Sequence, residues 1–482
     1  MSSFIPATRA IRALGVLALT ASISGCLLGP DYVRPESQLP AAFEHAAAEG
    51  VSHNELLAEY WTVFGDATLN ALVRNAIAAN LDLRIARSKL AETRASRRAS
   101  LFDLWPVITS KLARQRSSMA SAEAQGAPSD ELSSDYYEVG FDASWEASLF
   151  GRGTRGVRSQ KAVVAGAEAQ HWGTQVAITA EVARQYLEYR GLQARLLVAK
   201  RNVDNQAESL KITSARLEAG RGTELDSARA QAQLEINRAN IPRLETALTR
   251  ARYRVAVLTG RNPQTKGLIP DRADPLPELP DIQPSGDPAD LLRRRPDIIV
   301  AERNLATQTE LIGYRKAELF PRIFFGSTAG FASESLGDLG DSGTKTWRFA
   351  PSITWSAFDI GRVLANVKVQ RHRTELALAE YEKAVLSALE DADGALAEYR
   401  NTATTREHLV LAANASADAA RLARLRFDAG ITDLSVVLDV EAQQLQAEDQ
   451  LAQAHTQSAT ALIAAFKALG GGWVRSGALD MR

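Results

Sequence analysis

The chain has one cysteine in 482 residues. A lone thiol makes no intrachain disulfide and brings no second cysteine to a metal, so neither device holds this fold together. Beyond the first 25 residues no apolar run reaches the ~18 residues that a helical membrane span requires. Lysine and arginine total 56 against 57 aspartates and glutamates, so the basic excess of a nucleic-acid binder is missing. The signatures of enzymes are missing as well. There is no G-x-x-x-x-G-K-[ST] loop to hold a nucleotide and no G-x-S-x-G elbow. His45, His53, His171, His372, His408 and His455 form no H-E-x-x-H pair. The expectation is a protein that is no enzyme, binds no metal or dissociable cofactor and draws no energy from ATP by itself.

The position of the single cysteine is informative. Arg9 and Arg12 precede the apolar stretch ALGVLALTASI, which ends in Ser24 and Gly25. A basic start, a short apolar core and small residues at the end describe a secretory signal over residues 1–25. Ile23-Ser24-Gly25-Cys26 resembles the lipobox of bacterial lipoproteins. That resemblance implies cleavage before Cys26 and a covalent lipid on its thiol. Leu27, where an aspartate would be a retention signal, resembles the pattern for sorting to the outer membrane.

An internal repeat organises the rest. FDASWEASLFGRGTRGVRSQ aligns with PSITWSAFDIGRVLANVKVQ, so that Trp145, Gly151 and Arg152 match Trp355, Gly361 and Arg362 at a constant offset of 210 positions. The same offset relates Glu188-Tyr189-Arg190 to Glu398-Tyr399-Arg400, and Ala219-Gly220 to Ala429-Gly430. The chain therefore divides into a lipidated N-terminal segment (26–65), a first repeat (66–260), a Pro-rich linker (261–289), a second repeat (290–470) and a tail (471–482). Each repeat is expected to hold a helix (about 66–100 and about 290–318), two strands around a polar loop, a very long helix, a Gly turn and a return helix.

The strands carry a membrane signal. In YYEVGFDASWEASLF, Tyr137, Val139, Phe141, Trp145 and Leu149 alternate with Glu138, Gly140, Asp142, Ser144 and Glu146. Strict period-2 alternation with aromatics on one side describes a strand with one apolar and one polar face. Trp347, Phe349, Ile353 and Trp355 repeat the pattern, and the partner strands fall at about 105–114 and 321–331. An ordinary hairpin on a soluble core shows the same alternation, but the lipobox adds weight to a membrane barrel. Four strands close no barrel, since single-chain barrels start at about eight strands; open edges in lipid strand backbone groups at several kcal/mol each. Chains would have to share one barrel, and a trimer supplies twelve strands. Proline is absent from Gly153 to Ala219 and from Arg362 to the end. A helix filling the first tract would be roughly 100 Å long, which suits a coiled coil or the wall of a tube. Gly220 and Gly430 sit where a helix C′ glycine belongs, and Thr223 and Thr432 are candidate N-caps of the return helices.

Four stretches give this architecture a resemblance: the lipobox followed by GPDYVRP, DLLRRRPDIIVAERNL (290–305), AELFPRI (317–323) and RFDAGITDLSVVLDVEAQ (426–443). The chain resembles the TolC-like outer-membrane efflux channels, in particular their NodT-type lipoprotein branch. The resemblance implies a mainly α homotrimer with a small β part: a shared twelve-stranded barrel in outer-membrane lipid and a long α-helical barrel in the periplasm. It implies a passive exit duct for drugs or other small molecules, docked to a periplasmic adaptor and energised by an inner-membrane pump. On the same grounds Gly220, Thr223, Gly430 and Thr432 mark the adaptor-docking tips. Asp226 and Asp439 match acidic residues that narrow the periplasmic aperture, while Val436 and Thr432 depart from the pattern there. Glu138, Asp142 and Glu146 would face the barrel lumen. Two other readings are a type I protein-secretion channel and a structural periplasmic coiled-coil lipoprotein; the second has no use for two aromatic hairpins.

Overall fold

A computed structural model describes residues 27–36, 38–45, 58–120, 133–270, 279 and 287–473. Cys26 and the signal sequence lie outside the described residues. The first repeat runs through α1 (Ala67–Ala79), α2 (Leu81–Phe102), β1 (Val107–Ser118), β2 (Ser133–Ala147), α3 (Arg152–Glu218) and α4 (Glu224–Leu258). The second runs through α5 (Pro288–Arg294), α6 (Pro296–Lys316), β3 (Arg322–Ser333), β4 (Lys345–Thr354), α7 (Ile360–Asp428) and α8 (Leu434–Ala468). Among the described residues no helix is long and apolar enough to cross a membrane.

The single helix expected over about 66–100 is two. Asn80 closes α1 and opens α2: its Oδ1 accepts from the amides of Asp82 (2.8 Å) and Leu83 (3.1 Å), and its Nδ2 donates to the carbonyl of Leu258 (2.8 Å). The side chain thus caps the new helix while tying it to the end of α4. In the second repeat the break falls at Arg295-Pro296, because proline suits a first helical turn and disfavours helix in the residue before it. The strands also extend past their expected ends, with β1 reaching Ser118, while β4 stops at Thr354.

The chain forms two compact units. One holds residues up to Glu36, Leu90–Ala167 and Val300–Tyr381, including all four strands. They make one antiparallel sheet in the order β1-β2-β3-β4. The repeats leave a matching mark in this unit: the Trp145 indole donates to the carbonyl of Leu104 and the Trp355 indole to that of Leu319, both at 3.0 Å.

The other unit holds Ser37–Lys89, Glu168–Ile299 and Glu382 onward. Its core gathers Leu69, Leu72, Val73 and Ala76 of α1 and, on α8, Ala461, Leu462, Ala465 and Phe466. Tyr60 stacks on Phe466 with centroids 5.6 Å apart. Asp66 caps α1 through the amides of Thr68 and Leu69 and accepts a 2.6 Å bond from the Tyr186 hydroxyl. Burial, then the Asp66 carboxylate, pushes that phenol well above its ordinary value. Alanines fill many contact positions along the long helices, which lets the helices approach closely.

Candidate functional site

The sheet separates two chemistries. Residues directly opposite one another share a face, so the register of β2 with its neighbours sorts every side chain. Phe141 lies opposite Ser110 and Ala329, Val139 opposite Leu112 and Phe331, and Trp145 opposite Phe325. Ala329 in turn faces Trp347, and Phe325 faces Pro351. Apart from Arg114 and Lys345 near one end, this face is largely apolar, and it is uncovered: Leu112 is 81% exposed and Trp347 79%. Such a continuous aromatic and aliphatic surface has no place against water. Pro351, which donates no amide hydrogen bond, sits on the edge strand β4, where a missing ladder bond is tolerated.

The opposite face is polar. Glu138, Asp142 and Glu146 project from it together, as their even spacing predicts, and each meets polar or basic groups that sequence periodicity did not assign to it. Lys111 binds Glu138 at 2.6 Å. Arg152 binds Glu146 at 3.1 Å, and Arg322 also pairs with Glu146. Asp142 lies in one row with Thr109, Thr328 and Arg348, which line a concavity of about 230 Å³. Lys111 and Arg322 could be placed only by the pairing register. The strands are 12, 15, 12 and 10 residues long, enough to cross a bilayer at the usual tilt.

The helix turns form the second candidate site, in the other unit. Each long helix ends in the same way. The amide of Gly220 donates to Leu217 and that of Arg221 to Arg216; Gly430 donates to Phe427 and Ile431 to Arg426. This is a Schellman closure. It places Gly220 at φ +68° and Gly430 at φ +74°, a conformation that favours glycine. Nothing lies within 4 Å of where a β-carbon would stand on either. Thr223 caps α4, as expected: its Oγ1 accepts from the Asp226 amide at 3.2 Å and donates to the Asp226 carboxylate at 2.7 Å. Thr432 does not cap α8. Asp433 holds that position, and it is the residue at the 210 offset from Thr223. Asp439 is exposed one turn and more into α8.

Beneath these turns Phe427, Leu434, Val437 and Leu438 pack with Ala230 and Ala423. The Arg216 guanidinium lies 3.9 Å from the centroid of the Phe427 ring. Beside this cluster Glu441 is bound by Gln206 at 2.9 Å and Arg424 at 3.4 Å. Burial raises its carboxyl above the ordinary range, against the pull of Arg424 and Gln206.

The family described as outer membrane efflux protein matches residues 72–261 and 288–471. The chain is 30% identical over 467 residues to outer membrane protein OprJ of Pseudomonas aeruginosa, covering 96% of each chain. It is 28% identical to a toluene efflux pump outer membrane protein, TtgC, of Pseudomonas putida, again over 96% of each. Among solved structures, the outer-membrane channel OprN superposes with a TM-score of 0.86 at 38% identity, covering 93% of this chain and 100% of that one. The open state of the MtrE outer membrane channel of Neisseria gonorrhoeae superposes at 0.81 with 27% identity, covering 93% and 99%.

Proposed function

The chain belongs to the outer membrane efflux protein family and is an outer-membrane efflux channel, not an enzyme; from that premise we propose that three copies pool their strands into one closed twelve-stranded barrel. The observation that carries this reading is the two-faced sheet. It has an exposed apolar face, a polar face and two strands, β1 and β4, each paired on one side only among the described residues. In lipid such edges need partners, and a second and third copy supply them with the same register logic. The apolar face then meets lipid. Glu138, Asp142 and Glu146 line the lumen together with Lys111 and Arg348.

Cys26 is the lipid attachment site, and the acyl chains add a second anchor to the barrel. The turns at Gly220–Thr223 and Gly430–Thr432 are the periplasmic tips that meet an adaptor, with Asp226 and Asp439 around the aperture. An inner-membrane pump supplies the energy. The relatives named for toluene efflux and as efflux-pump outer membrane proteins support small toxic molecules, rather than proteins, as the cargo. The test is expression in a Gram-negative host deleted for its own channel. Restored resistance to dyes, solvents or antibiotics, with a band at trimer mass in unheated detergent gels, is the expected result. A monomer band alone, or secretion of a protein substrate without restored resistance, overturns it.

A further inference from the structure

Residues 27–36, LLGPDYVRPE, lie in a seat built by elements of both repeats. Its centre is Arg155 on the first turn of α3, whose side chain is 1% exposed. The guanidinium makes four hydrogen bonds. Nε donates to the carbonyl of Leu28 (3.0 Å) and Nη2 to that of Gly29 (3.1 Å). Nη1 donates to Asp31 (3.0 Å) and to Glu310 of α6 (2.7 Å). Three of these four partners belong to the N-terminal segment. A buried guanidinium is tolerated only when its donors are met, so the segment is part of what keeps Arg155 inside.

The backbone fits as closely as the charge. Gly29, at φ +91°, passes so near α6 that a β-carbon would stand 2.5 Å from the Gly313 Cα. A β-carbon on Gly313 would stand 2.4 Å from the Leu28 carbonyl oxygen. Leu27 lies against Gly151, where a β-carbon would meet its Cα at 3.3 Å. Further along, Tyr32 and Arg34 reach the buried Glu302 at 3.1 Å and 3.5 Å. The second repeat lacks these features. At the 210 offset Arg155 becomes Ala365, which is exposed, and Gly361 has nothing within 4 Å of a β-carbon position. Both repeats keep the strand–helix junction, but the junction in the second repeat carries neither the buried arginine nor the close glycine.

We propose that Arg155, with Glu310, Gly313 and Gly151, is a binding seat for an extended peptide whose occupant is residues 27–36, and that Arg155 is the positioning residue that fixes the N-terminal end of the mature chain at the β2–α3 junction. The place where Cys26 enters the membrane is then set by the seat. In this last respect the proposal rests on Cys26 being the acylated end; the seat itself does not.

The test is limited proteolysis within residues 27–36 on purified full-length protein in detergent, with palmitate labelling of the same preparations. In R155M cleavage within 28–36 should be at least ~10-fold faster than in wild type, with R155K between them and cleavage elsewhere in the chain unchanged. G29V should release the segment while leaving the Arg155–Glu310 pair in place, which keeps the test informative if R155M fails to fold. A protein lacking residues 27–36 should bind the synthetic peptide LLGPDYVRPE, and the same protein with R155M should not. Protection of 28–36 unchanged in both R155M and G29V, or equal peptide binding with and without Arg155, overturns the proposal. Loss of palmitate with protection intact overturns the lipid assignment and leaves the seat standing.

Discussion

Trp145 on β2 stands directly opposite Phe325 on β3, their rings stacked with centroids 5.7 Å apart and planes at 23°. The seam between the two repeats is thus closed by an aromatic pair on the apolar face of the sheet. Phe349 continues the stack at 6.3 Å from Phe325, so the pair belongs to a band rather than to an isolated contact.

Adjacent positions on β2 should respond oppositely to charge. F141K places an ammonium on the exposed apolar face, at a cost of about 2–4 kcal/mol near the middle of a bilayer, and should reduce the trimer recovered from membranes. D142K falls in the polar row with Thr109, Thr328 and Arg348; it should assemble normally and shift ion selectivity toward anions in planar bilayers. Equal recovery of the two variants contradicts the assignment of the faces.

Labelled palmitate should enter the wild-type protein and fail to enter C26A. Acyl chains contribute about 0.8 kcal/mol for each buried CH₂. Because the proposed barrel is an anchor in its own right, C26A should still reach the outer membrane. Label that persists in C26A removes Cys26 as the attachment site.

G220V and G430V test the tips. Nothing lies within 4 Å of a β-carbon at either position, so the cost begins with the left-handed backbone, about 1–2 kcal/mol per residue and more for a β-branched side chain. Trimers should survive while drug resistance is lost through misfit with the adaptor. Full resistance in the double variant removes the docking role.

Asp226 and Asp439 are best tested as asparagines. The Asp226 carboxylate accepts from the hydroxyl of Thr223, the residue that caps α4, and an alanine there would remove that acceptor as well as the charge. Asparagine retains an acceptor. In the proposed trimer six carboxylates surround one axis. The D226N/D439N channel should show weaker cation selectivity and weaker block by multivalent cations in single-channel recordings. Traces that match wild type place both residues away from the aperture.

Glu441 gives a pH signature. Its carboxyl is raised on folding, chiefly by burial. A raised carboxyl favours the folded state while it is protonated. That advantage is complete below the ordinary carboxylate range, near pH 4, and is lost as pH rises through the higher folded value. The melting temperature of E441Q relative to wild type should therefore increase from about pH 4.5 to about pH 7.5. A difference that stays flat or decreases shows that the Arg424 pairing outweighs burial.

The features legible in the sequence were those written in short-range periodicity. The two faces of β2 and the Gly220 and Gly430 closures need only neighbours a few positions away. The break at Asn80 did not announce itself, because the apolar spacing runs through it; the residue that ties the break down is Leu258, reached only in the folded chain. Thr432 is not the cap because the cap falls three positions after the Schellman glycine in both turns, at Thr223 and Asp433, a pair that the 210 offset already relates. Likewise the residues that neutralise Glu138 and Glu146 depend on pairing register, and periodicity sets faces without setting register. Arg155 is the extreme case. On a helix it reads as one more solvated cation, and its partners lie more than a hundred positions away in both directions.

The pairing of β2 with β3 has a kinetic meaning. A barrel of twelve strands built from single repeats would need six bodies to meet, and all six seams would form between molecules. In the proposed trimer, covalent duplication makes every second seam unimolecular, so closure becomes third order at most in chain concentration. That lowers the concentration at which rings outcompete open, edge-exposed fragments. It also gives proteases and chaperones fewer unfinished species to capture.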